Sequence, residues 1–186
     1  MQSYYTMTIA GKKRALPLFP VDENTQIAAF IMLGDVEITT AAAAELKNRL
    51  PAFDVLITAE AKGIPLAHEL ARITGKPYVT ARKSPKVYMK NIITTDVDSI
   101  TTKGMQKLYL GEDDVLKLRG KNVLIADDVI STGKSLEALE KLVGLCGGNI
   151  CGRAAVLAEG GAAKRGDIIY LEPLPLFDGG GNPVES

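Results

Sequence analysis

Residues Val123–Ser135 read VLIADDVISTGKS. Val123 to Ala126 are small or branched and apolar, as a strand buried on both faces requires. Asp127 and Asp128 follow where that strand is expected to end. Ser131, Thr132, Gly133, Lys134 and Ser135 then place hydroxyls, a glycine and one cation together. Leu136, Leu139 and Val143 recur at helical spacing, so a helix starts at this cluster. A strand, an acidic pair, a small polar loop and a helix N-terminus suit a phosphorylated sugar. The loop's N–H groups and the helix dipole hold phosphate. The carboxylates accept hydrogen bonds from sugar hydroxyls.

Two plainer readings compete. Gly133-Lys134-Ser135 matches the tail of a P-loop, but that motif needs a glycine where Asp128 stands. The other is an acidic turn that caps a helix and binds nothing. Hydrophobic strand, Asp-Asp and Thr-Gly in one order are more specific than either.

A chain of 186 residues is normally one domain with a substantial core. Lys and Arg total 22 and so do Asp and Glu, so no basic field points to nucleic acid. There is no charged leader with an apolar core and no apolar run of membrane length, so no membrane partner is expected and a soluble cytoplasmic protein is. Cys146 and Cys151 match no metal spacing and read as buried free thiols. His68 is the sole histidine and sits in a helical pattern, so a histidine relay is not expected.

Outward from the central stretch, apolar runs alternate with helical patterns. Val55–Ala59, Tyr78–Ala81, Ala154–Ala158 and Ile168–Leu171 read as strands. Ile64–Ile73, closed by Gly75, reads as a helix, as does Gly133–Leu145, closed by Gly147 and Gly148. A further helix is expected from Thr39 or Thr40, with the threonine as cap, to Leu50. The expected fold is α/β, a parallel sheet flanked by helices. Two regions break the alternation. Residues 1–20 read as a hairpin, Tyr5–Ala10 with Arg14–Phe19, turning at Gly11. Residues 84–111 are long for a connection and read as a flexible antiparallel flap with Thr102–Gly104 near its tip.

Two more loops follow strands. Glu60-Ala61-Lys62-Gly63 precedes a helix with Pro65 in its first turn. Arg82-Lys83-Ser84-Pro85-Lys86 carries three cations in five residues. In open parallel sheets, ligands sit at the carboxyl ends of strands where the order reverses. Either loop alone reads as an ordinary turn; three on one edge do not.

Together these stretches resemble the type I phosphoribosyltransferases, most closely the adenine and xanthine enzymes of purine salvage. The resemblance runs from about Asp54 to Phe177. It implies one domain over 1–186, with 1–35 and 172–186 as hood and termini and 84–111 as the flap. It implies that Asp127 and Asp128 bind the ribose hydroxyls directly or through Mg²⁺. Ser131, Thr132, Gly133, Lys134 and Ser135 would hold the 5′-phosphate. Ala61, Lys62, Gly63, Arg82, Lys83 and Lys86 would face the diphosphate. Leu16 to Phe19, with Leu16, Leu18 and Phe19 foremost, would form the hood over the base. The implied substrates are 5-phosphoribosyl diphosphate and a purine base, and the implied assembly is a homodimer.

Two departures bear on the base. Many adenine enzymes carry a flap glutamate where this chain has Thr101 or Thr102, which leaves the proton-handling group unassigned. The 6-oxopurine enzymes offer a lysine to the purine O6 near the strand carrying Ala158-Glu159, where this chain has Gly160-Gly161. That absence favours adenine. The alternatives are xanthine or guanine as acceptor, or a regulator that binds phosphoribosyl diphosphate without catalysis.

Overall fold

The computed structural model describes residues 3–97 and 106–184. Its centre is a parallel sheet built from five strands. These are β4 (Val55–Ala59), β5 (Tyr78–Ala81), β8 (Asn122–Ile130), β9 (Asn149–Glu159) and β10 (Ile169–Leu174), in the order β10-β9-β8-β4-β5. The pattern along β8 explains its central place. Val123 and Ile125 pack into one core, and Leu124 and Ala126 into the other. A strand that is apolar at every position needs cover on both faces.

The first face is covered by α4 (Lys134–Leu145), α3 (Glu112–Leu118) and the flap pair β6 (Ile93–Val97) and β7 (Gln106–Leu110). The second face is covered by α1 (Val36–Lys47), α2 (Ile64–Thr74) and a second sheet. That sheet, the hood, has the order β1-β2-β3-β11-β12: Tyr4–Ile9, Lys12–Pro20, Thr25–Ala28, Leu176–Asp178 and Pro183–Val184.

Several expectations shift. β8 runs past Ala126 to Ile130, in register with β9 through Ile130 opposite Ala158. Asp127 and Asp128 therefore lie inside a paired strand, because the backbone ladder continues under side chains that disfavour it. The N-terminal hairpin turns at Ala10 and Gly11, with φ of 49° and 71°, the left-handed pair of a two-residue hairpin loop. Helix α1 begins at Val36, not at Thr39 or Thr40. Its cap is Asp35, whose Oδ1 accepts the Ile38 N–H at 3.1 Å. The two threonine hydroxyls instead donate to Asp35 O and Val36 O, each at 2.7 Å, which keeps them inside the helix. Helix α3 went unread, although Gly111 and three acidic first-turn residues signal its start. The flap tip and Thr101 and Thr102 fall outside the described residues.

Candidate active site

The sheet sets the place of the site. From β4 the chain moves outward to β5, and from β8 it moves the opposite way to β9 and β10. The order reverses between β4 and β8, and a crevice opens at their carboxyl ends. The loops after these strands, Glu60–Gly63 and Ser131–Gly133, face each other across it.

The floor is the acidic pair. Asp128 is 2 % exposed, and its Oδ2 accepts a hydrogen bond from Lys62 Nζ at 2.8 Å. Asp127 Oδ1 accepts the Asp128 backbone N–H at 2.9 Å. Burial, and next the adjacent Asp128 charge, push the Asp127 carboxyl well above the usual carboxylate range.

Gly63 presses against this floor. A Cβ there would lie 2.2 Å from Thr58 Oγ1 and 2.7 Å from Asp127 Oδ1, so no side chain fits. The preceding Glu60–Ala61 peptide is cis. Glu60 ties this loop to the one after β5. Its Oε2 accepts the Lys83 N–H at 2.9 Å, and its Oε1 meets Arg82 Nη1 at 3.4 Å.

On the other side, Gly133 caps α4 with φ +83° and no side-chain cap bond. The first N–H groups of the helix are left for a ligand. A recess of about 40 Å³ sits here, lined by Asp127 and Val129–Leu136. Thr132, Gly133 and Lys134 line this recess, and Ser131 and Ser135 line both it and the main cleft. Arg165 reaches the same loop: a Cβ on Gly133 would lie 2.9 Å from its Nη1. The sequence pattern gave no sign of Arg165.

The main cleft holds about 470 Å³. Its floor is Asp127–Val129, one wall is Glu60–Lys62 with Lys83, and the hood wall is Ile27–Ile31. Glu159, at the end of β9, lines the same cleft. The hood residues read from the sequence are one strand out. Leu16 and Leu18 are buried in the core beneath the hood, and Phe19 is 46 % exposed away from the cleft. β2 lies behind β3, so β3 and the segment after it form the wall instead. Arg82 and Lys86 do not line the cleft. The Arg82 guanidinium donates to Tyr88 Oη at 2.9 Å, and Lys86 Nζ to Ser84 Oγ at 2.9 Å. His68 packs edge-on to Tyr78, and the two cysteines are free, their thiols pushed up by burial.

The crevice thus combines a helix-capped recess, an acidic floor and a cationic wall. The family model described as "Phosphoribosyl transferase domain" matches residues 35–172. The adenine phosphoribosyltransferase of Thermotoga sp. (strain RQ2) is 32% identical over 127 residues, 68% of this chain and 66% of that protein. The chain thus spans about two-thirds of the length of that relative. The hypoxanthine/guanine phosphoribosyltransferase of Methanocella arvoryzae is 31% identical over 147 residues, 79% of this chain and 71% of that protein. Among solved structures, adenine phosphoribosyltransferase from Thermoanaerobacter pseudethanolicus matches with TM-score 0.66 and 27% identity, over 76% of this chain and 84% of that one. The Rhodothermus marinus adenine phosphoribosyltransferase shares the fold, with TM-score 0.68 and 23% identity over 92% and 94% of the two chains. Sheet, crevice and family match agree, and the chain belongs to the phosphoribosyl transferase domain family.

Proposed function

We propose that this protein transfers the phosphoribosyl group of 5-phosphoribosyl diphosphate to a purine base, and that the base is adenine. The products are AMP and diphosphate. One observation carries the reading. The acidic pair forms a floor between a helix-capped recess and a wall bearing Lys62 and Lys83. That spacing matches a sugar with phosphate on one side and diphosphate on the other.

In this reading the N–H groups of Ser131–Ser135 hold the 5′-phosphate, with Arg165 beside them. Asp127 and Asp128 accept the ribose hydroxyls. Lys62, released from Asp128, and Lys83 face the diphosphate, with Ala61 and Gly63 supplying backbone. Arg82 and Lys86 would have to swing in to join them. The C1′–diphosphate bond breaks and a bond from base nitrogen to C1′ forms. The ring gains positive charge as the leaving group gains negative charge, which fixed cations stabilise.

Mg²⁺ fits the donor set. It keeps several waters and takes one or two carboxylates plus substrate oxygens. Among the described residues no cluster of three or more His, Cys, Asp or Glu forms a complete protein cage. Asp127 and Asp128 would therefore share the ion with the substrate, and its charge would offset that of the diphosphate.

The adenine assignment draws on the relatives named for adenine and on Gly160-Gly161, which brings no cation to a purine O6. The relative named for hypoxanthine and guanine supports 6-oxopurines as the second reading. We also take the protein to be a cytoplasmic homodimer of one-domain subunits. No described helix is long and apolar enough to cross a membrane, and exposed Val36, Val87 and Tyr88 offer apolar surface for a second copy.

One assay decides. With Mg²⁺ and 5-phosphoribosyl diphosphate, adenine should give AMP faster than hypoxanthine, guanine, xanthine or orotate. Faster use of a 6-oxopurine would reassign the base. Binding of the sugar phosphate without turnover of any base would replace the enzyme with a sensor.

A further inference from the structure

Glu159 lines the cleft beside the hood wall, and it is the cleft carboxylate that the site leaves unused. It is the last residue of β9, one beyond the Ala158–Ile130 pair. Leu157 packs into the hood-side core and Ala158 into the opposite one. Glu159 lines the cleft together with the hood residues Ile27–Ile31.

Four carboxylates line the cleft. Glu60 holds Arg82 and the Lys83 N–H, Asp128 holds Lys62, and Asp127 holds the Asp128 N–H. Among the described residues, the Glu159 carboxyl has no hydrogen bond or ion pair. Burial raises its pKa, and the charge of Lys62 only partly opposes this. A partly buried polar group without a partner costs stability unless a ligand meets it. The loop that follows supplies nothing to compete. Gly160 and Gly161 carry no side chain, and a Cβ on Gly161 would meet nothing within 4 Å.

Glu159 lines the same cleft as the apolar hood wall, where the flat base of the proposed reaction would lie. We infer that Glu159 reads the six-position of the purine: a carboxyl oxygen accepts an N–H of a 6-amino group and opposes the lone pairs of a 6-oxo group. The inference rests on the purine reading above and adds the residue that makes the choice. A site that hydrogen-bonds one substrate rejects the analogue that leaves its polar group unpaired. As a carboxylate, Glu159 is an acceptor only, so it meets an amine and has no donor for a 6-oxo group.

Two variants test it. Glu159→Gln keeps the shape and adds an N–H₂ donor. Its kcat/KM ratio of adenine to hypoxanthine should fall about tenfold or more, with hypoxanthine use rising. Glu159→Leu removes the acceptor and should lower kcat/KM for adenine, with a smaller gain for hypoxanthine than Glu159→Gln gives, since it adds no donor. Calorimetric affinity for 5-phosphoribosyl diphosphate with Mg²⁺ should stay within about twofold in both, since Glu159 is not among the groups proposed to hold either phosphate. An unchanged ratio in Glu159→Gln, or equal losses of sugar-phosphate affinity and turnover, would overturn the assignment and make Glu159 structural. The wild type is the control for the underlying reading. If it converts adenine and the variants keep its preference, only the Glu159 assignment falls. If it does not convert adenine, the purine reading falls and the assignment with it.

Discussion

At the scale of single residues, Asp127 and Asp128 concentrate both the proposed chemistry and a cost. Two adjacent carboxylates sit inside strand β8, and one is held up in pKa by burial and by the other. A carboxyl whose folded pKa lies above its unfolded value stabilises the fold below the unfolded value, and this is lost as pH rises through the folded one. At pH 7, above the unfolded value, keeping Asp127 buried is therefore a burden on the fold. Replacing Asp127 and Asp128 together by Asn should leave the melting temperature at pH 7 no lower, while turnover falls about a hundredfold or more. A folded double variant with wild-type turnover would remove the main support of the enzymatic reading. The pair was legible in the sequence because strand, acid and loop are contiguous. Glu159 was not. It is the polar end of an apolar run, and only the neighbouring strand and the hood turn it into a lining residue.

At the scale of elements, two helix starts show how local chemistry sets the site. Helix α4 begins at Gly133 in the left-handed region. Gly133→Val places a branched side chain at φ +83° and within 2.9 Å of the Arg165 Nη1 position. The left-handed penalty alone is roughly 1–2 kcal/mol. Because the loop is the proposed phosphate cradle, calorimetry with Mg²⁺ should show sugar-phosphate affinity falling by roughly tenfold or more. Unchanged affinity would place the phosphate elsewhere. Helix α1 begins at Asp35, whose carboxyl the Arg14 side chain, at 2.7 Å and 3.0 Å, holds below its usual range. The sign follows from that depression. The stabilisation is present above the unfolded carboxylate pKa of about 3.9 and is lost as pH falls through the lower folded value. Asp35→Asn keeps the cap but loses the charge. Its unfolding free energy, measured by denaturant titration, should therefore depend less steeply on pH below about 4 than that of the wild type. The helix start at Asp35 was misread because Thr39 and Thr40 look like caps. Their hydroxyls bond back one turn, which a linear reading does not reveal.

At the scale of the whole molecule, the crevice joins loops from β4, β5 and β8 to a roof from another sheet, so a ligand there clamps several elements at once. Sugar phosphate with Mg²⁺ at about 100 times its Kd should stabilise the fold by roughly 2.7 kcal/mol. For a chain of this size that is a rise of roughly 5–11 °C in Tm. The rise should shrink when Mg²⁺ is withheld, and no rise in either condition would argue against the proposed ligand. The parallel sheet could be read from apolar runs alternating with helices, since each run is local. The hood could be read only in part. β3 and β11 are short, and Phe177 pairs with Gln26 across most of the chain, so no window of sequence contains both partners.

That pairing gives the molecule an order of assembly in time. β3 waits for β11, so the roof strand after β2 remains an open edge while ribosomes add the residues between Gln26 and Phe177. At ordinary synthesis speeds that interval is roughly eight to thirty seconds. The floor strands β4 and β8 emerge within it, so the part of the cleft that would grip sugar phosphate is translated before the roof is complete. In the proposed reading, the floor that would hold sugar phosphate is thus made before the strand that pins the roof over the base.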